Sequence, residues 1–255
     1  MKLIILKSDF HNPYYNLAIE ECAFNKMKQL LDSVLLYTWV NEPSVIIGRN
    51  QNPFAECDLK KMEHDGINLV RRKTGGGAVF HDLGNLNYTL IGSGNFVDRE
   101  QWNSAICNAV NSYGLICKKS GRNDFLVNGF KVSGSAFMHE DNTYLQHGTM
   151  MVNVRLDAIK RYLTPQKSKL QRHGIKSVEQ RVRNLHEINS AITINGIEEN
   201  IHKTISKLYG EQNVQYESVE TFLNDDINDL FEKYVSRDFV YGEFTSYEQY
   251  SDDSL

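Results

Sequence analysis

Three consecutive glycines, Gly75 to Gly77, limit most strongly how this chain can fold. They lie between two short runs of β-type residues, Ile67–Arg72 and Ala78–Phe80. Glycine loses more backbone freedom on folding than any other residue, so three in succession need a local reason. Two structures fit: a Gly-rich hairpin, or a loop whose backbone N–H groups converge on an anion. The two arginines before the glycines and the His-Asp pair after Phe80 favour a binding site, because guanidinium groups bind phosphate well.

A longer stretch around the glycines, Arg71–Asn87 (RRKTGGGAVFHDLGNLN), resembles the lipoate-binding signature of the lipoate–protein ligase A family. The resemblance covers most of residues 1–190, and Lys73-Thr74 departs from it only by adding a positive charge and keeping a hydroxyl. Its other matching segments are Ser8–Glu21, Val45–Pro53, Ser120–Phe137, His147–Thr149 and Gly174–Leu185.

The predicted fold class is α+β, with a largely antiparallel β-sheet flanked by helices. Asn128-Gly129 between apolar runs is a strong hairpin signal, and Asn12-Pro13 is a good helix start. Strands and helices do not alternate regularly, which argues against a doubly wound sheet. The resemblance implies the catalytic domain shared by biotin and lipoate ligases.

We expect residues 1–242 to form one catalytic domain and residues 243–255 to form a polar tail. Family ligases usually continue into a small C-terminal domain, and the match fades near Gly242. The usual small domain is therefore expected to be absent, and a separate small accessory protein could replace it. Without such a lid, adenylation would be slower than transfer from preformed lipoyl-adenylate.

Composition restricts the classes of partner. The net charge of −4 argues against coating nucleic acid or an acidic membrane. No apolar run approaches the roughly 18 residues that a membrane span needs. The four cysteines show no CxxC spacing, which predicts reduced, mostly buried thiols. These observations favour a cytoplasmic protein that contacts neither nucleic acid nor membrane.

The resemblance implies a two-step reaction. A lipoate carboxylate attacks the α-phosphate of ATP, with Mg²⁺ as the metal, and forms lipoyl-adenylate and pyrophosphate. A lysine of an apo lipoyl domain, or of the glycine-cleavage H protein, then attacks the mixed anhydride. The enzyme needs no covalent nucleophile for this chemistry; it must place two anions together, neutralise them and exclude water.

The residue roles follow from the same resemblance. Lys131, in the matching segment Gly129–Gly134, is the catalytic candidate because its ammonium would stabilise charge on the carboxyl oxygen and the α-phosphate. Asp124 is the Mg²⁺ candidate, and a structural role in a turn fits it equally well. The residues expected to bind ATP or the adenylate are Arg72, Gly77, Ala78, Val79, Phe80, Asp124 and Lys131. The residues expected to bind lipoate are Val45, Gly75, Gly76, His81, Ser133, Gly134, His147 and Gly148.

Several alternatives stay open at this point. The strand residues among these candidates could belong to the core alone, and His81 reads as a positioning residue because no step demands an acid–base pair. The basic run Lys160–Arg183 is either a solvated surface or a flap over the adenylate. Two other functions compete: a lipoyl or octanoyl transferase that uses preformed acyl-adenylate, and a non-catalytic lipoate or adenylate sensor. A transferase that works through an acyl-enzyme would need a reactive cysteine in the site.

Overall fold

The computed structural model describes residues 1–164, 182–223 and 227–244. Most of the basic run predicted as a flap, residues 165–181, lies outside them, as does the polar tail beyond residue 244. The strands are β1 Lys2–Lys7, β2 Ser33–Val40, β3 Ser44–Ile47, β4 Asn68–Arg71, β5 Val79–His81, β6 Asn85–Ser93, β7 Cys117–Ser120, β8 Asp124–Val127, β9 Phe130–Glu140, β10 Thr143–Met151 and β11 Val214–Glu217. The helices are α1 Pro13–Met27, α2 Pro53–Glu56, α3 Leu59–His64, α4 Arg99–Asn111, α5 Leu156–Tyr162, α6 Leu185–Ile188, α7 Ile194–Tyr209, α8 Val219–Leu223, α9 Ile227–Val235 and α10 Arg237–Tyr241.

The strands form two sheets. The large sheet has eight strands in the order β11-β1-β2-β6-β10-β9-β8-β7, and the small sheet has the order β4-β3-β5. In the large sheet, β1 pairs in parallel with β11 and β2, and every other described pairing is antiparallel. The predicted α+β class with a largely antiparallel sheet is confirmed.

Three apolar clusters hold these layers together. One face of the large sheet packs on α4 and α7 around Trp102 and Ile201. The opposite face packs on α1, α8 and α9 around Phe24 and Tyr234. The small sheet packs on α3, α5 and α10 around Val45. The large sheet is therefore covered on both faces, and the small sheet forms a separate wall beside it.

Local sequence signals predict several elements well. Asn128 and Gly129 take positive φ angles of 52° and 82° and connect β8 to β9, as the hairpin prediction requires. Asn12 caps α1 by accepting hydrogen bonds from the N–H groups of Tyr14 and Tyr15. The same helix ends at Met27, because the chain turns there to enter β2.

The predicted Gly-rich hairpin is wrong. The strands before and after the glycines, β4 and β5, do not pair with each other, because β3 lies between them. Strand β4 runs parallel to β3 and β5 runs antiparallel to it. The glycines therefore form a loop that crosses over the end of β3, so their conformation is set by contacts with the β3 end.

Candidate active site

A cavity of about 210 Å³ lies where the two sheets meet the Gly-rich loop. Apolar side chains of Leu17, Trp39, Ile46 and Val79 form much of its wall. The polar lining comes from both sheets and the loop. The predicted site residues that line the cavity are Arg72, Gly76, Gly77, Ala78, Val79, His81, Asp124, Lys131, Gly134, His147 and Gly148.

The Gly-rich loop is shaped by Arg72, whose side chain is buried. Its Nη2 donates to the carbonyl oxygens of Gly75 and Gly77, each at 2.8 Å, and its Nη1 donates to the Ile46 carbonyl at 3.1 Å. Its Nε donates to the Thr74 hydroxyl at 3.0 Å. Burial lowers the pKa of Arg72 to about 10, which still leaves the guanidinium charged at neutral pH. Arg72 therefore sets the loop conformation and adds a fixed positive charge to the cavity.

Arg71 has a structural function instead. Its Nη1 donates to the carbonyl oxygens of Gly48, Arg49 and Gln51, and its Nε donates to the Val240 carbonyl at 2.9 Å. These bonds join the loop after β3 to helix α10. The adjacent arginines of the motif thus stabilise two neighbouring loops, and only Arg72 lines the cavity.

Lys131 reaches the cavity because of a β-bulge in β9. Leu126 pairs with Lys131 while its neighbour Phe125 pairs with Ser133, so Val132 has no partner in the ladder. In a regular strand, side chains three residues apart point to opposite faces. The extra residue places Lys131 on the same face as Gly134 and Asp124. The Lys131 ammonium lies 2.8 Å from the Asp124 carboxylate.

A buried polar chain supports the loop from beneath. Glu20 accepts a hydrogen bond from the Thr89 hydroxyl and lies 2.8 Å from Nδ1 of His147. On its other side, Nε2 of His147 lies 2.8 Å from the Thr74 hydroxyl, which accepts from Arg72. The chain links helix α1, strand β10 and the loop, so movement of any member would shift the others.

His81 lies in the cavity wall as a neutral imidazole. Its side chain is buried, and this burial, followed by the charges of Arg72 and His147, lowers its pKa to about 3. The Asn41 amide lies 3.1 Å from its Nδ1, and its Nε2 has no hydrogen-bond partner among the described residues. A neutral His81 cannot serve as a cationic clamp, but it can donate or accept one hydrogen bond.

A second ionic contact joins the loop to two helices. Glu21 of α1 accepts hydrogen bonds from Lys233 of α9 at 2.8 and 2.9 Å, and the Lys73 ammonium lies 3.2 Å away. Burial opposes ionisation of Glu21, but hydrogen bonds and charge from Lys233 and Lys73 outweigh it and leave the pKa lowered. The carboxylate therefore ties the entry of the Gly-rich loop to the helical layer.

Lys233→Gln is expected to reduce the free energy of unfolding by about 1.5 kcal/mol at pH 7. This is the low end for hydrogen bonds to charged groups, because water reaches Lys233. Since folding lowers the pKa of Glu21, the stabilisation is complete above its ordinary value of 4.5 and is lost as pH falls through the folded value. Urea denaturation at pH 7 and pH 3 measures both effects. The control is Lys207→Gln, which alters an exposed residue of α7. An equal loss of unfolding free energy at both pH values would contradict the ionic explanation.

Four predicted ligand residues do not line the cavity: Val45, Gly75, Phe80 and Ser133. Val45 and Phe80 are cross-strand partners, so both point to the opposite face of the small sheet and pack in its core. Ser133 points to the core face of β9, next to Phe125. Gly75 is turned toward Arg72 through its carbonyl oxygen.

The sequence prediction missed other lining residues. Ile46 follows from strand alternation, since it is the neighbour of Val45 and faces the other way. Asn123 precedes Asp124 in the chain, and Ser135 and Ala136 follow Gly134 in β9. Trp39 and Asn87 lie on β2 and β6, which the sequence did not place beside the motif. The full set is Leu17, Trp39, Ile46, Asn87, Asn123, Ser135, Ala136 and Thr149.

Comparison with known proteins finds relatives that match most of the chain. The family described as Lipoyl protein ligase A/B catalytic domain matches residues 12–206. The chain is 45% identical over 206 residues to a lipoate-protein ligase A of Psychrobacter cryohalolentis, a match that covers 81% of this chain and 58% of that protein. The chain thus spans about 58% of the length of that curated relative.

Solved structures share the fold. P. falciparum LipL1 in complex with lipoate superimposes with a TM-score of 0.83 at 32% identity, covering 95% of this chain and 74% of that one. A bi-partite lipoate protein ligase of Thermoplasma acidophilum gives 0.79 at 27%, covering 95% and 96%. A lipoate-protein ligase A bound with ATP gives 0.79 at 25%, covering 95% and 99%. The match over residues 12–206 and the 45% identity show that the chain belongs to the lipoyl protein ligase A/B catalytic domain family.

Proposed function

We propose that this domain is an ATP-dependent lipoate–protein ligase. It activates lipoate to lipoyl-adenylate and transfers the lipoyl group to a lysine of an apo lipoyl domain or of the glycine-cleavage H protein. One observation carries the proposal: the Lys131 ammonium lies in an apolar cavity walled by the Gly-rich loop. Relatives bound to lipoate and to ATP support both ligands.

The burial gradient orients the substrate. The Lys131 side chain is 30% exposed, whereas Trp39 and His81 are only 3% and 5% exposed. The carboxylate must meet ATP and later the acceptor lysine, so it belongs at the open end beside Lys131. The apolar acyl chain then extends inward between Leu17 and Ile46.

At the open end, Lys131 would stabilise the charge that develops on the carboxyl oxygen and the α-phosphate in both steps. Asp124 holds the ammonium in place, which reduces the reorganisation needed when the anions arrive. Backbone of Gly76, Gly77 and Ala78 lines the same wall, where the lack of bulky side chains lets a phosphate approach closely.

Magnesium is expected to enter with the phosphates of ATP. Mg²⁺ is commonly bound by one or two carboxylates together with substrate phosphates. Among the described residues that line the cavity, Asp124 is the only carboxylate. Across the described part of the chain, no cluster of three or more His, Cys, Asp or Glu forms a metal site of its own. A single carboxylate, that of Asp124, is therefore consistent with a Mg²⁺ ion whose other ligands include the phosphates of ATP.

The acceptor and the domain boundary are part of the same proposal. The Thermoplasma acidophilum ligase is bi-partite and was studied with its E2 lipoyl domain, which supports a lipoyl domain as acceptor and a small accessory protein as partner. The bonds from Arg71 to α10 support a catalytic domain that extends to residue 242. We also propose a cytoplasmic location, because all four cysteines are buried and none forms a disulfide in the described part of the chain. Among the described residues, no helix is long and apolar enough to span a membrane.

The cysteines also separate this proposal from an acyl-enzyme transferase. None of the four belongs to the described lining of the cavity. Burial raises the pKa of the Cys57 thiol to about 12, which makes it a poor nucleophile. A transferase that takes preformed acyl-adenylate, and a sensor that only binds, are distinguished by assay.

The test is mass spectrometry of an apo lipoyl domain after incubation with this protein, lipoate and ATP–Mg²⁺. The acceptor is expected to gain the mass of one lipoyl group, and to gain none when lipoate or ATP is omitted. A parallel assay supplies preformed lipoyl-adenylate and is expected to be faster. Modification in the second assay alone would indicate the transferase, or a ligase that needs its accessory protein if adding that protein restores the first. No modification in either would indicate the sensor.

A further inference from the structure

Two buried nitrogen atoms of the cavity wall have no hydrogen-bond partner in the described part of the chain. Trp39 and His81 both line the cavity and are only 3% and 5% exposed. The indole Nε1 of Trp39 and the Nε2 of His81 make no hydrogen bond with any described residue. A buried polar group without a partner costs free energy, so such groups in a ligand cavity indicate acceptor atoms on the ligand.

Whether Nε2 of His81 carries a proton is decided by an asparagine chain beneath it. The Asn16 amide nitrogen lies 2.8 Å from the Phe10 carbonyl and 3.4 Å from the Val40 carbonyl, so this atom must be the NH₂ group. The Asn16 amide oxygen correspondingly accepts from the hydroxyl groups of Ser8 and Tyr37. The orientation of the Asn16 amide is therefore unambiguous.

The orientation of the Asn16 amide determines that of the Asn41 amide, which in turn determines which nitrogen of His81 carries the proton. Because Asn16 donates to Asn41 at 2.9 Å, the Asn41 atom facing it must be the amide oxygen. The Asn41 NH₂ group then faces Nδ1 of His81 at 3.1 Å and donates to it. Nδ1 is thus an acceptor without a proton, and the proton of the neutral ring lies on Nε2. Both asparagines are fully buried, so water does not compete for these bonds.

We propose that the Asn16–Asn41 chain fixes His81 as an Nε2–H donor, and that this donor, with the Trp39 indole, selects the sulfur-bearing dithiolane end of lipoate over a plain alkyl chain. The inference rests on the proposed function, which places the carboxylate at Lys131 and the far end of the acyl chain at the buried end. Sulfur is a weak acceptor, but it satisfies the two donors, whereas octanoate leaves both unpaired. Asn41 is a positioning residue that acts through His81.

The variant that tests the tautomer is Asn41→Asp. A carboxylate at this position can still accept from Asn16, but it can only accept from His81. Nδ1 must then carry a proton, and in the neutral ring Nε2 becomes an acceptor that faces the cavity. The ratio of dissociation constants for octanoate and lipoate is expected to fall about tenfold, through weaker lipoate binding. Asn108→Asp, on the exposed surface of α4, adds the same charge far from His81 and is the control.

A spectroscopic measurement keeps the inference testable even if Asn41→Asp folds poorly. ¹⁵N NMR of histidine-labelled protein distinguishes protonated from unprotonated ring nitrogens. The unaltered protein is expected to show His81, assigned by loss of its signals in His81→Gln, with the proton on Nε2. Lipoate is expected to shift the Nε2 resonance more than octanoate does.

The outcomes separate this inference from the proposed function. An Nδ1–H tautomer in the unaltered protein, or an unchanged binding ratio in Asn41→Asp, would overturn the assignment of His81 while leaving the ligase intact. Failure of the unaltered protein to form adenylate from either acid, both alone and with the accessory protein, would instead reject the proposed function. Retained adenylation in Asn41→Asp with a lowered lipoate preference is the expected result.

Discussion

Lys131→Ala is expected to lower the rates of adenylate formation and of transfer by on the order of 10²–10³, the usual cost of removing one group that stabilises transition-state charge. In the proposed mechanism the same ammonium stabilises the carboxyl oxygen in both steps, so both rates should fall together. Pyrophosphate release measures the first step, and the mass gain of the acceptor from preformed lipoyl-adenylate measures the second.

Two controls make this result specific. Lys118→Ala removes an exposed lysine from β7, two strands away from β9, and should leave both rates unchanged. Thermal unfolding of Lys131→Ala should resemble that of the unaltered protein, because the Lys131 side chain is 30% exposed and its removal opens no core cavity. Near-normal rates in a folded Lys131→Ala would exclude Lys131 from the chemistry. A loss in one step alone would show that another group stabilises the second.

Gly48→Ala is expected to impair the site without altering any residue of the Gly-rich loop. A Cβ at this position would lie 2.2 Å from the Gly76 carbonyl oxygen, far inside van der Waals contact. The obstacle is backbone, so the loop must move. Overpacking of this kind costs about 1–3 kcal/mol of stability. A loop displaced by about 1 Å lowers the rate of adenylation on the order of 10²-fold.

The matched control is Gly75→Ala in the loop itself, where an added Cβ meets nothing within 4 Å. Urea denaturation should show a loss of stability for Gly48→Ala and none for Gly75→Ala. Pyrophosphate release should fall in Gly48→Ala even at saturating lipoate and ATP. If Gly48→Ala matched the unaltered protein in both assays, the close approach of the β3 end to Gly76 would be unimportant for both stability and adenylation.

Local signals explain what could be predicted from the sequence. The Asn128-Gly129 turn, the Asn12 cap and the end of α7 at Gly210 depend on dihedral preferences of one or two residues. Each is decided by near neighbours in the chain. Of the two interpretations of the Gly-rich motif, the loop is the one that the structure shows, and this loop lines the cavity together with Arg72.

The rest depends on contacts between distant segments. The hairpin prediction failed because β3, more than 20 residues upstream of the glycines, inserts between β4 and β5. The sequence alone does not separate Val45 from Ile46 as a lining residue, because nothing in a run of β-branched residues shows which face the cavity will occupy. The polar chain from Glu20 to Arg72 joins three segments, and no spacing in the sequence connects them.

Because of the bulge at Val132, the number of residues in this part of β9 decides on which face of the sheet the Lys131 ammonium lies. Removing Phe130 would restore a regular ladder in which Lys131 lies opposite the buried Val127, and this would turn the Lys131 side chain into the apolar core, although Gly129, Lys131, Ser133 and Gly134 would all remain. Adding one residue would shift Gly134 instead. Insertions and deletions here should therefore be far less tolerated than substitutions at Val132 that keep its apolar character. In this stretch the length of the segment, as much as the identity of its residues, carries the information for the active site.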